Sequence, residues 1–128
     1  MSASRLRAVA LPLVAALLLV LGPLTAPAAA QNPLIPLPAP DQPVVSELTP
    51  TSALLTWPRS GGPVFRYSMK RLVDGEWQGY ASMPSTSYRV ALTPGAEHTF
   101  AVYSVALPFS GYTTSPLSEP VTVVAPTQ

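Results

Sequence analysis

The sequence reads TSALLTWP over residues 51–58. Its residues Ala53, Leu55 and Trp57 place apolar side chains at every second position, and Pro58 ends the run. A period of two puts these side chains on one face of an extended strand, whereas an amphipathic helix needs a period near 3.6. The stretch therefore predicts a half-buried β-strand that ends at a tryptophan.

The same alternation recurs along the rest of the chain. Further alternating sets are Tyr67 with Met69, Tyr88 with Val90 and Leu92, His98 with Phe100 and Val102, and Val121 with Val123. Turn residues separate these sets, among them Asp74-Gly75, which is a strong hairpin signal, and Pro94-Gly95. Short strands without a helical stripe predict an all-β domain, namely a seven-stranded antiparallel β-sandwich of the immunoglobulin-like class.

The composition excludes several classes of site. The 128 residues contain no cysteine, so disulfides, thiolate metal sites, cysteine nucleophiles and lipidated cysteines are impossible. The formal net charge of +1 is too small for a nucleic-acid-binding surface. This length allows one small domain at most.

The first 30 residues have the pattern of a secretory signal peptide. Two arginines precede an apolar run over residues 8–21, and small residues follow up to Ala30. A basic start, a short apolar run and an Ala-x-Ala site predict export, cleavage after Ala30 and a secreted protein that begins at Gln31. Cleavage after Ala28 and retention of the segment as an uncleaved anchor are the alternatives.

Residues 31–42 are predicted to form a proline-rich spacer before a domain at residues 43–126. Prolines at positions 33, 36, 38 and 40 fix φ and remove amide donors, which favours an extended polyproline II segment. We expect a solvated leader that separates the domain from the export machinery. A stalk, or a ligand for an aromatic groove, is the alternative.

Residues 43–125 resemble a fibronectin type III domain at several places, which follow the order of that family. The stretch that ends at Trp57 resembles the second strand with its core tryptophan, and Tyr67 stands where the third strand has its buried tyrosine. The run Leu92-Thr93-Pro94-Gly95 resembles the Leu-x-Pro-Gly corner, and SPLSEPV over residues 115–121 resembles the start of the last strand. The resemblance implies the fold, with core or corner roles for Trp57, Tyr67, Leu92, Pro94 and Gly95, but it says little about function.

His98 departs from this resemblance. The family usually has a tyrosine three residues after the Pro-Gly pair, and its hydroxyl bonds the corner backbone. We expect His98 to be partly buried, to hydrogen-bond the backbone near Leu92 or Pro94, and to have a pKa below the usual value of roughly 6.5. A corner role is favoured over catalysis or metal binding, since no second histidine and no cysteine accompany it.

No catalytic residues, metal ligands or cofactors are predicted. Covalent hydrolysis needs a nucleophile, a base and an orienting group, and the chain has a single histidine. Asp74 and Glu76 flank a turn instead of a cleft, and the phosphate-loop, zinc-protease and calcium-loop motifs are absent from the sequence. The chain is therefore not expected to be an enzyme.

Five aromatic residues are the candidates for binding a partner: Trp77, Tyr80, Tyr103, Phe109 and Tyr112. Exposed rings stack on sugars or anchor a protein. The residues favour the other interpretation, in which Trp77 and Tyr80 cover the edge of the sandwich and the aromatics of the loop pack on its end. We expect a secreted, monomeric, non-catalytic module that binds a protein or polysaccharide at the cell exterior, with no nucleic acid and no membrane after cleavage. A spacer without a specific ligand and an ectodomain held by an uncleaved signal are the alternatives.

Overall fold

The structure is a computed structural model that describes residues 33–128. The predicted signal peptide and its cleavage site between Ala30 and Gln31 lie outside the described residues. Residues Leu34–Gln128 form one compact unit. Its strands are β1 (Ile35–Pro36), β2 (Val44–Ser46), β3 (Ser52–Thr56), β4 (Val64–Val73), β5 (Glu76–Met83), β6 (Ser87–Ala91), β7 (Glu97–Ala106), β8 (Tyr112–Thr113) and β9 (Val121–Val124). Across residues 33–128 there is no helix with the length and apolar character needed to cross a bilayer.

Seven of these strands form two antiparallel sheets. One sheet has the order β2-β3-β6 and the other has the order β5-β4-β7-β9. In β3, Ala53 and Leu55 are buried and their neighbours are not, as a period of two requires. The predicted seven-stranded antiparallel β-sandwich is confirmed.

The core lies between the two sheets and contains Trp57. Its side chain is 2% exposed and meets the ring of Tyr67 edge-on, with the ring centroids 5.7 Å apart. Phe100 and Val90 fill the same layer. The indole Nε1 of Trp57 is buried without a hydrogen-bond partner among the described residues. Burying a ring of this size, at about 25 cal/mol per Å², offsets the roughly 1–3 kcal/mol that an unpaired donor costs.

Two predicted turns have the backbone geometry that their residues favour. Asp74 and Gly75 have φ values of +50° and +81°, and a two-residue hairpin turn needs positive φ at both positions. Gly95 has a φ of +77° in the corner that carries the chain from β6 to β7. Both turns are therefore set by the local sequence.

Two serine hydroxyls, from the segment just before β9, accept hydrogen bonds from the part of β7 that β9 does not pair. The N–H of Val102 donates to Ser118 Oγ at 3.0 Å, and the N–H of Ser104 donates to Ser115 Oγ at 2.8 Å. The N–H groups of Ser118 and Ser115 in turn donate to the carbonyls of Val102 and Ser104. Prolines interrupt this segment and prevent a regular ladder, so the hydroxyls supply the acceptors that a continuous strand would have provided.

The structure corrects the expectation of a solvated leader for part of the predicted spacer. The N–H of Ile35 donates to the Gly111 carbonyl at 3.0 Å, and the N–H of Leu37 donates to the Thr113 carbonyl at 3.1 Å, so that β1 pairs in parallel with β8. Successive amides of an extended strand point to opposite sides, and Pro36 occupies the position whose amide would point away from β8. The amides of Ile35 and Leu37, which pair with β8, are therefore both present although the segment is rich in proline.

Leu37 fixes this segment to the domain. Its side chain is 1% exposed, and a Cβ built on Gly62 would lie 2.8 Å from Leu37 Cδ2. Gly62 also has a φ of +86°, which glycine adopts without strain. The compact unit thus includes residues 34–42, which the sequence assigns to the spacer.

Candidate binding surfaces

Trp77 and Tyr103 share the outer face of the four-stranded sheet. Trp77 is the cross-strand partner of Leu72, and Tyr103 is the cross-strand partner of Ser68. Leu72 and Ser68 have the outward parity of β4, whose residues of inward parity include the buried Tyr67. The structure therefore brings two of the five candidate aromatics onto one surface, which we call the outer face.

Lys70 lies between these two aromatics along β4. Its partner on β5 is Gly79, where an added Cβ would meet nothing within 4 Å. The Nζ of Lys70 lies 5.6 Å from the centroid of the Tyr103 ring, within cation–π range. A shallow cavity of about 270 Å³ adjoins this pair, lined also by Thr114 and Leu117. The outer face thus offers rings, hydroxyl groups and one ammonium group.

Tyr80 does not share the outer face with Trp77 and Tyr103, and it takes the position at the edge of the sandwich that the sequence left open for it. The pairing of β4 with β5 shifts between Met69 and Lys70, which leaves Tyr80 as an extra residue on β5. Its ring meets Phe100 edge-on at 5.4 Å, and its hydroxyl accepts a hydrogen bond from the Ala91 N–H at 2.9 Å. A β-bulge changes the face of the residues that follow it, so Tyr80 covers the open edge between the two sheets.

Phe109 and Tyr112 lie at the end of the sandwich where β3, β5 and β7 finish. Together with Leu34 and Leu107 they line an apolar pocket of about 400 Å³. Tyr112 is half-buried beside β1, whereas Phe109 is fully exposed, with a relative accessibility of 105%. Of the five candidates, Phe109 alone is fully exposed.

The loop that carries Phe109 is held in a defined conformation. The Ser110 hydroxyl donates to the Leu107 carbonyl at 2.7 Å, and the Leu107 N–H donates to the Pro63 carbonyl at 2.9 Å. Phe109 itself has a φ of +58°, a left-handed conformation that costs a non-glycine residue about 1–2 kcal/mol. The loop therefore presents this ring to solvent at a cost to the free domain.

His98 occupies the corner as the sequence predicts. Its side chain is 7% exposed, and its Nε2 accepts a hydrogen bond from the Thr93 N–H at 3.0 Å. The pKa of His98 is lowered below its usual 6.5, mainly by burial and to a lesser extent by the positive charge of Arg71. The residue stabilises the turn between β6 and β7.

Arg89 forms an exposed ion pair with Glu47. Within residues 33–128 no cluster of three or more histidine, aspartate or glutamate side chains could hold a metal ion. The arrangement is suited to contact with a partner through rings and hydroxyl groups.

Sequence analysis missed four residues that hold these surfaces in place. They are Leu37, Leu34, Ser115 and Ser118. The signal for the serines was their position near prolines in an edge segment, where an irregular backbone leaves amides of the neighbouring strand without carbonyl acceptors. The two leucines carry no local signal, because their contacts are with segments distant in sequence.

No family model matches this chain, and no curated protein matches it. Solved structures do match. The twitchin kinase region from C. elegans is 20% identical with a TM-score of 0.60, over 72% of this chain and 17% of that one. FN3tt is 21% identical with a TM-score of 0.56, over 70% and 97% of the two chains. The sixth fibronectin type III domain of human fibronectin type III domain containing protein 3 is 24% identical with a TM-score of 0.56, over 79% and 93%.

The share of each matched structure that this chain covers differs widely. This chain spans 17% of the twitchin chain and 32% of a titin chain with domains A168–A170. It spans 97% of FN3tt and 93% of the sixth fibronectin type III domain named above, and its sheets have the strand orders β2-β3-β6 and β5-β4-β7-β9. The chain therefore has the fibronectin type III fold.

Proposed function

We propose that this chain is an exported, non-catalytic module that binds a glycan at the cell exterior through the outer face. The observation that carries the proposal is the presence of Trp77 and Tyr103 on one face, with Lys70 and the bare Gly79 between them. Aromatic rings stack on the apolar faces of sugars, while hydroxyl and ammonium groups bond their hydroxyls.

The spacing of the two rings favours an oligosaccharide. Their partners Leu72 and Ser68 are four residues apart on β4, which corresponds to about 14 Å along the strand. A ligand that contacts both rings must therefore span several sugar units, and a monosaccharide reaches only one.

A protein partner is less well supported at this face than a glycan. A protein-binding hot spot is usually a contiguous, strongly apolar patch. Next to Trp77 on this face lies the apolar Leu72, but the neighbouring side chains Ser68, Lys70 and Thr99 are polar.

The non-catalytic part of the proposal is supported by the positions of the titratable groups. The single histidine is bonded in the corner. Asp74 and Glu76 border the hairpin turn, and Glu47 pairs with Arg89, so these carboxylates do not face a common cleft.

The test is an oligosaccharide array probed with the exported protein. We expect Trp77→Ala and Tyr103→Ala each to weaken binding about tenfold, and Tyr103→Phe to bind like the wild type, because the ring makes the contact. Phe109→Ala is the control, since it removes an equally aromatic side chain from another surface. A folded protein that binds no oligosaccharide contradicts the glycan proposal.

The alternative of a spacer without a ligand has one observation in its favour. Lys70 already lies over the Tyr103 ring, and Trp77 is half-buried, as expected for side chains that merely cover a sheet. On that alternative, Trp77→Ala would reduce the free energy of unfolding without changing any binding signal.

A further inference from the structure

Exposed apolar side chains concentrate at the end of the sandwich that carries Phe109. Leu34 lies just before β1 and Ile35 begins it. Phe65 is the second residue of β4, and Leu107 and Phe109 lie in the loop after β7. All five are between 42% and 105% exposed, and they are five of the nine large apolar side chains that are exposed among the described residues. We call these five residues the apolar tip.

The charges near the apolar tip are positive. Arg59 lies in the loop between β3 and β4, and the guanidinium of Arg66 lies 5.5 Å from the centroid of the Phe65 ring. The segments that form this end, residues 33–40, 57–66, 84–86 and 107–114, contain no aspartate or glutamate.

The acidic residues lie elsewhere in the domain. Glu47, Asp74, Glu76 and Glu97 lie at the opposite end, where β2 and β4 finish and β5 and β7 begin. Asp41 and Glu119 are next to Gln42 and Pro120, which are hydrogen-bonded to each other where β9 begins. The domain is thus polarised, with an apolar and basic end and an acidic end.

The chain also reaches the domain at the apolar tip. Leu34 is part of the tip, so the preceding segment is covalently attached there. That segment contains the apolar run over residues 8–21, from which the sequence predicts export across a membrane. Only residues 22–33 separate the run from Leu34, and they span at most about 40 Å when fully extended. The predicted export segment is therefore joined to the tip end of the domain by a short stretch of chain.

We propose that the apolar tip docks on the surface of an anionic lipid bilayer, on the outer side of the membrane that the protein crosses. Phe109, Leu34, Ile35 and Leu107 enter the interfacial region, and Arg59 and Arg66 bind lipid phosphates. This surface is separate from the outer face and does not depend on the proposed glycan binding. It departs from the expectation, drawn from the sequence, of no membrane contact after cleavage.

The charge distribution decides between a bilayer and a second copy of this chain. A two-fold dimer through the tip would bring Arg59 and Arg66 of both copies together without a carboxylate from either end segment. Anionic phosphates satisfy the same arginines, and aromatic rings are favoured at the bilayer interface.

The test measures how the protein binds to vesicles of defined composition. Because Leu34–Gln128 is one compact unit with its own core, residues 31–128 are used, with a cooperative urea transition as the check of folding. The probes are phosphatidylcholine vesicles with and without about 30% phosphatidylglycerol. We expect binding to the anionic vesicles only.

The variants identify the surface that binds. Phe109→Ala should weaken binding about tenfold or more, and Arg59→Gln and Arg66→Gln about fivefold each. Val124→Ala is the matched control, because Val124 is 58% exposed, like Ile35 at 56%, and lies at the opposite end. A Phe109→Trp variant should show a blue shift of emission with anionic vesicles.

Several results would overturn the proposal. One is a folded protein that binds neither kind of vesicle, and another is binding that Phe109→Ala leaves unchanged. Concentration-dependent dimers in sedimentation velocity that Phe109→Ala abolishes, without vesicle binding, would assign the tip to a second copy. Tip-dependent binding to a purified acidic surface protein, again without vesicle binding, would assign it to a protein partner.

Discussion

Mild acid is expected to destabilise the domain through His98. The Nε2 of His98 accepts the Thr93 N–H at 3.0 Å, so the neutral ring carries its proton on Nδ1. Protonation of Nε2 turns this acceptor into a donor that faces another donor. Burial and the charge of Arg71 oppose the charged form further, which is why the pKa of His98 is lowered from 6.5.

The sign of the pH dependence follows from the direction of that shift. With a lowered folded pKa, the unfolded chain takes up the proton first as the pH falls below 6.5. The stability is therefore complete above 6.5 and declines with falling pH until the folded pKa is passed. Each unit by which the pKa is lowered corresponds to about 1.4 kcal/mol lost at the acid end of this window.

The assay is urea unfolding between about pH 8 and about pH 5.5, a range that includes the usual histidine pKa of 6.5. We expect the wild type to lose stability over this range and His98→Tyr to lose much less, because the phenol does not titrate there. The hydroxyl should add on the order of 1 kcal/mol if it bonds the corner backbone. Glu97→Gln, a change at the exposed neighbour, should behave like the wild type. Equal pH dependence in the wild type and His98→Tyr would refute the assignment of His98 to the corner.

Three substitutions test how the domain is held together, each by urea unfolding. Gly62→Ala should cost about 1–2 kcal/mol, because φ is +86° and the new Cβ would lie 2.8 Å from Leu37 Cδ2; Gly61→Ala, where nothing lies within 4 Å, should be nearly neutral. Tyr80→Phe should cost about 1 kcal/mol, since it removes the acceptor at the edge of β6 but keeps the ring; no change would mean that water replaces the hydroxyl. Ser118→Ala should cost about 1–3 kcal/mol, because the buried amide of Val102 loses its hydroxyl acceptor; a cost below that of Ser85→Ala, at an exposed turn, would contradict this role.

The parts of the fold that the sequence predicted are those set by local rules. The alternation around Trp57 and the positive φ of Gly75 are properties of a few adjacent residues, and both gave the right structure. The corner is also local, because His98 reaches a backbone amide only five residues away. Together these signals were enough to predict a sandwich and its hairpins.

The positions that the sequence misplaced or left open depend on contacts between distant segments. Whether Tyr80 is exposed or covers the edge of the sandwich could not be decided from β5 alone, because the register shift arises in its pairing with β4. Leu37 is buried by Gly62, and the β1 pairing needs a carbonyl from Gly111. Proline spacing therefore could not indicate the surface against which this segment packs.

Phe109 offers a test in which stability and binding should change in opposite directions. Its φ of +58° is strained for phenylalanine, and its exposed ring contributes no burial to the free domain. Asparagine tolerates this conformation better, so Phe109→Asn should raise the free energy of unfolding by up to about 1 kcal/mol. The same change removes the largest side chain of the apolar tip, so binding to anionic vesicles should fall at least as far as in Phe109→Ala. If Phe109→Asn instead lowers stability, the ring packs on the domain in solution, and its exposure cannot be attributed to a partner.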